Sequence, residues 1–138
     1  MNQSLIRSAL TKHLLDMNLG VPLSFVGQPF EPPAGALWCS VNVMFSRADV
    51  VTIGPTGEDS RKGYMSIIIR APVGVGDGEI YAVADNISEK SQAGTALIYD
   101  EQAVTITGCG MGVVYEESGF INGQVMVYFR ARTHRNLI

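Results

Sequence analysis

Residues 71–79, APVGVGDGE, set three glycines, Gly74, Gly76 and Gly78, between the apolar run SIIIR and the helical-looking EIYAVADNISEK. A glycine-rich turn joining a strand to a helix is the setting of a nucleotide phosphate site, because bare backbone lets N–H groups reach the phosphates. The spacing here is G-x-G-x-G. The dinucleotide fingerprint is G-x-G-x-x-G, whose third glycine allows the helix to pack closely on the strand. Asp77 and Glu79 stand where the phosphate would sit, and their charge complements the helix dipole while repelling an anion. Asp77 therefore reads as the helix cap. Asp100 follows a strand about twenty residues further on, roughly where a ribose-binding acid is expected, yet too little chain remains after it for the other βα units of such a fold. No G-K-S or G-K-T occurs, so the P-loop has no footing.

Other chemistry has weaker anchors. There is no G-x-S-x-G, and the two histidines are His13, inside a helical pattern, and His134, four residues from the end, which reads as a solvated tail residue. Cys39 and Cys109 form no C-x-x-C spacing and read as buried free thiols, so neither a metal nor a redox centre is expected. The acidic pairs Glu58–Asp59, Asp100–Glu101 and Glu116–Glu117 fall in expected turns, where solvated charge is the usual meaning. No catalytic residue, cofactor or metal ligand is assigned.

The elements that position these residues follow from periodicity. Leu5, Ile6, Ala9, Leu10, Leu14 and Met17 recur at helical spacing, and Asn18 and Gly20 suit its end. GVPLSFVGQPFEPPAGA carries four prolines, leaving room for a short strand at 23–25 before an irregular connection. From Leu37 to Phe45 the odd positions face a core, and Trp38 points the other way. ADVVTI either extends this strand or forms a further short one. GPTGEDSRKG, 54–63, reads as a mobile polar loop, and YMSIIIRA as a central strand covered on both faces. Ile80, Val83, Ala84 and Ile87 mark a second amphipathic helix running to about Gly94. ALIYDEQAVTI predicts a hairpin turning at Asp100 to Gln102. Beyond it the even positions pass from Val104 and Ile106 to Gly108, Gly110 and Gly112, the signature of a bulged or bent strand. In the last strand Val125, Val127, Phe129 and Ala131 face one side, and Met126, Tyr128, Arg130 and Arg132 the other. The order predicts an α+β fold: a mainly antiparallel or mixed sheet with two amphipathic helices packed on it, as one domain over 1–138.

Bulk properties narrow the classes. The chain has 138 residues, 46% hydrophobic and 17% charged, enough for one core without disulfides. Its net charge of −3 is the wrong sign for stable nucleic-acid binding. No apolar run matches a membrane span, and Arg7, Lys12, His13 and Asp16 interrupt the N-terminus where a signal peptide would be uniformly apolar, so synthesis inside the cell is expected and no membrane partner.

EPPAGALWCSVNVMF, a polar loop leading into RKGYMSIIIRAPVGVGDGEIYAVADNI, and the closing VMVYFRA together resemble the tail terminator family of long-tailed, non-contractile bacteriophages, of the kind typified by the lambda minor tail protein U. The segment Gly63 to Gly76 with the helix to Lys90 carries most of that resemblance. It implies a non-enzymatic virion protein that assembles as a six-membered ring, caps the tail tube, stops its growth and offers the surface that joins the head. The implied partners are other copies of the chain, the major tail tube protein and a head-tail connector or head completion protein, with DNA passing through without stable binding. The implied location is the virion tail, and the host cytoplasm during assembly.

A ring of identical subunits needs two different complementary patches on each. Met126, Tyr128, Arg130 and Arg132 are candidates for one, with Arg61 and Lys62 in the polar loop. Asp100 and Glu101, or Glu116 and Glu117, are candidates for the other. Two competing readings are a head completion or neck subunit of similar size and acidity, and a small nucleotide-binding enzyme built on the turn at 71–79.

Overall fold

The computed structural model of the chain describes residues 3–33, 35–46, 49–50, 57–74 and 77–134. The elements run α1 (Gln3–Asp16), β1 (Leu23–Phe25), β2 (Trp38–Phe45), β3 (Asp49–Val50), β4 (Glu58–Pro72), α2 (Gly78–Lys90), β5 (Ala96–Tyr99), β6 (Gln102–Met111), β7 (Tyr115–Glu117) and β8 (Phe120–His134). One sheet collects all the strands in the order β1-β2-β4-β8-β6-β5, with β3 added to β4 and β7 to β8. Among the described residues β1 and β2 pair in parallel, and the other ladders are antiparallel. This is the expected α+β arrangement with a mixed sheet.

Both helices lie on the same face. α1 presents Ile6, Ala9, Leu10 and Leu14, and α2 presents Ile80, Ala84 and Ile87. Beneath them the inward positions of the strands close the core: Cys39 and Val41 from β2, Met65, Ile67, Ile69 and Ala71 from β4, Val104 and Ile106 from β6, and Val125, Val127, Phe129 and Ala131 from β8. The period of two seen in the sequence puts these residues on one side because successive strand side chains point to opposite faces.

Several expectations change. YMSIIIRA is central, flanked by β2 and β8, but the helices cover one face only: Ile67 and Ile69 are fully buried while Ile68, Arg70 and Tyr64 are half-exposed on the other. The polar segment 54–63 is not a loop throughout. Residues 58–63 are the first part of β4, held by backbone pairing to β3 and β8 that needs no apolar side chains; residues 54–56 lie outside the described ones. Glu58 and Asp59 are consequently on a strand, and so are Glu116 and Glu117, on β7. His134 ends β8 rather than a tail. Cys109 is half-buried, unlike Cys39.

α2 stops at Lys90, short of Gly94, and Asp77 occupies its N-cap without a side-chain hydrogen bond. The glycine alternation in β6 also resolves differently. A bulge between Ile106 and Gly108 shifts the register against β8, so Val104 and Ile106 face the helices while Gly108 and Gly110 face the other way, opposite Tyr128 and Met126. The bulky and bare positions are on two faces, not one.

Candidate functional site

With both helices on one side, the other face of the sheet is left to its own side chains. Two antiparallel ladders, β2–β4 and β4–β8, set their pairing. Met44 stands opposite Tyr64, and Asn42 opposite Ser66. Tyr64 stands opposite Tyr128, Ser66 opposite Met126, Lys62 opposite Arg130, and Ser60 opposite Arg132. Tyr64 and Tyr128 pack with ring centroids 5.9 Å apart at a tilt of 55°, and Gln124 Nε2 donates to Ser66 Oγ at 2.9 Å.

One end of this face is closed. Trp38 packs on Phe30 at 5.1 Å and edge-on to Phe120 at 6.2 Å, with the Arg70 guanidinium 5.4 Å from its ring centre. Arg70 Nη1 donates to the fully buried Asn122 at 2.9 Å. The irregular segment containing Phe30 thus covers the sheet there.

The other end is open and basic. Lys62 and Arg130 are exposed and directly opposed, an arrangement that destabilises a strand pair by about 0.2–1 kcal/mol relative to neutral partners. Arg132 reaches Glu58 at 3.6 Å, a largely solvated contact of little energetic weight. Two adjoining hollows share Arg130: one of about 410 Å³ lined by Ser60, Ala103, Thr105, Arg130, Ala131 and Arg132, and one of about 360 Å³ with Lys62, Thr107 and Tyr128 in its wall. Beside them Gly108 and Gly110 leave bare backbone, with no atom within 4 Å of where a Cβ would stand.

The structure separates some residues that the sequence grouped. Met126, Tyr128, Arg130, Arg132 and Lys62 share this face. Arg61 points to the opposite one, where its Nε donates to Thr133 Oγ1 at 3.1 Å. Asp100 and Glu101 form the tight turn between β5 and β6, both at positive φ. They lie at the same end of the sheet as Arg132, since Gln102 Nε2 donates to the Arg132 carbonyl at 3.1 Å. Glu116 and Glu117 pair with Ile121 and Phe120 at the other end of β8. Met44, Tyr64 and the two bare glycines of β6 also belong to the open face; the sequence signal for them was strand parity, broken at one bulge.

The glycine turn and Asp100 do not come together. A strand, a turn and a helix do follow one another around Gly74, and Gly76 lies outside the described residues. But the turn leaves β4 at Pro72, opposite Phe120, whereas Asp100 is near Arg132, twelve residues along β8. At 3.3 Å per residue this is roughly 40 Å, far too long for one ribose and its phosphates. Asp77 and Glu79 remain exposed at the helix start. Among the described residues no group of three or more His, Cys, Asp or Glu could hold a metal ion, and no helix is long and apolar enough to cross a membrane.

Comparison with known proteins gives one family: the model described as Phage tail terminator protein matches residues 5–133. Two solved structures share the fold. One, a protein without a descriptive name, is 19% identical with a TM-score of 0.75, over 95% of this chain and 96% of that one. The other, from the virion of a native gene transfer agent particle, is 18% identical with a TM-score of 0.54, over the same shares of the two chains. No curated protein sequence matches the chain significantly.

Proposed function

Because the chain belongs to the phage tail terminator family, a family of structural virion proteins, we propose that it caps the tail tube of a long non-contractile phage tail, halts tube growth and presents the surface that joins the head. On this reading the whole of residues 1–138 acts as one unit and closes into a six-membered ring. It meets the major tail tube protein on one side and a connector or head completion protein on the other. It works in the virion tail after assembly in the host cytoplasm, and DNA passes its lumen without being held.

The observation that carries the reading is the sheet face left open beside a fully formed core. A chain that packs its buried core on one side, yet keeps Lys62 and Arg130 opposed and Met44, Tyr64, Met126 and Tyr128 exposed or half-exposed on the other, has a surface suited to a partner. The net charge of −3 agrees with a conduit that repels the DNA passing through it.

The test is tube growth in solution. Tail tube protein is polymerised with and without the purified chain, and tube lengths are measured by negative-stain microscopy. Addition at a few copies per tube end is expected to stop elongation; tubes that grow unchanged would refute capping.

A further inference from the structure

Resting on the ring reading, we propose that the open sheet face of one copy receives the outer face of α2 from a second copy. The buried side of α2, Ile80, Ala84 and Ile87, sits on the helix-bearing side of the sheet. Its exposed side carries Tyr81, Asp85 and Glu89, with Asp77 and Glu79 at its start. Among the described residues none of these carboxylates is in an ion pair. The nearest cation of the helix, Lys90, is turned away, donating to the Met17 carbonyl at 2.8 Å.

The acidic face and the basic face therefore look out from opposite sides of the molecule. Docking one on the other joins the front of each copy to the back of the next, which is the head-to-tail geometry a closed ring requires. Opposite potentials then fix partner and orientation.

The spacing matches as well. Tyr81, Asp85 and Glu89 are four residues apart and line up along one edge of the helix, about 6 Å per step and about 12 Å overall. On the sheet Tyr128, Arg130 and Arg132 are two residues apart along β8, about 7 Å per step and about 13 Å overall. Asp85 and Glu89 set against Arg130 and Arg132 bring the Tyr81 ring, itself 46% exposed, over the bare backbone of Gly108 beside Tyr128. Lys62, otherwise repelled by Arg130, gains a carboxylate between them. On this pairing the acids come from α2 rather than from Asp100 and Glu101, which lie at the same end of the sheet as Arg132.

The pairing is tested by charge exchange in the tube-growth assay. One variant carries Arg130→Glu and Arg132→Glu, the other Asp85→Lys and Glu89→Lys; all four residues are exposed, and circular dichroism checks that both variants fold. Each alone places like charges in contact and is expected to need at least about tenfold more protein to cap. Their equimolar mixture restores alternating opposite contacts around an even-numbered ring and is expected to cap like the parent, as is a chain carrying all four changes. If the parent caps and both variants cap equally well alone, or if neither the mixture nor the fourfold variant recovers, the helix-on-sheet contact is wrong while capping stands. If the parent itself does not cap, the ring reading fails first.

Discussion

At the residue scale, two positions carry constraints that composition does not reveal. Gly63 lies in β4 between Phe45 and Phe129, whose rings meet edge to face at 5.6 Å. A Cβ there would collide with the Met44 backbone oxygen and come within 3.0 Å of the Phe129 ring. Gly63→Ala is expected to destabilise the protein by about 1–3 kcal/mol through overpacking against atoms that cannot yield, read as a lower midpoint in urea. His13 links α1 to the end of α2 through a 2.9 Å contact between Nε2 and the fully buried Ser91 Oγ. Burial lowers its pKa below the ordinary 6.5, with Asp16 partly opposing. An unfolded chain then binds the proton more readily than the folded one. The stabilisation is complete above about pH 6.5 and declines as the pH falls below it, through the unfolded value toward the lowered folded one. Thermal melts from pH 8 to pH 5 should therefore lose stability across this window, and His13→Gln, which keeps a hydrogen-bonding group without a titratable charge, should flatten that part of the profile. Cys39 is also silent chemically: its thiol is pushed up to about 12 by burial and stays protonated.

At the element scale, the β5–β6 hairpin turns on Asp100 and Glu101 at φ of 46° and 69°. Two central residues at positive φ are the pattern of a type I′ turn, which favours Asn-Gly or Asp-Gly. Glu101 holds that conformation with a side chain that disfavours it, so Glu101→Gly should raise stability by about 1 kcal/mol, or roughly 4 °C in Tm, without altering assembly through the open face. The turn itself was legible, because an acidic dipeptide separates two alternating runs. So were α1, the three-residue β1 among prolines, and the inward odd positions of β2. The run Ile67-Ile68-Ile69 misled for a physical reason: Ile68 rests half-buried among neighbouring side chains on an uncovered sheet, and a period-two reading of three isoleucines cannot tell that from burial under a second layer. The start of β4 was hidden because EDSRKG is polar throughout and its pairing is by backbone. The bulge after Ile106 was anticipated, but one extra residue inverts the faces beyond it, and no alternation pattern shows where that residue sits.

At the scale of the whole molecule, polarity is what the fold adds to the sequence. Net charge alone describes a mildly acidic protein; the fold sets Lys62, Arg130 and Arg132 on one face of the sheet and the exposed acids of α2 on the other side. Met126, Tyr128, Arg130 and Arg132 were gathered correctly from alternation along one strand, and Lys62 joined them only through the β4–β8 register. The sequence did not single out Asp85 and Glu89, since solvent-facing helix acids are common and only the position of α2 opposite the open face gives them meaning.

The claim that this chain terminates the tail is tested most directly by electron microscopy of particles made when its gene is disabled in the phage that carries it. Loss of a cap predicts tails of abnormal and heterogeneous length, unattached to filled heads, with uniform joined tails returning when the chain is supplied again. Tails of normal length lying beside unjoined heads, or fully normal virions, would contradict the account.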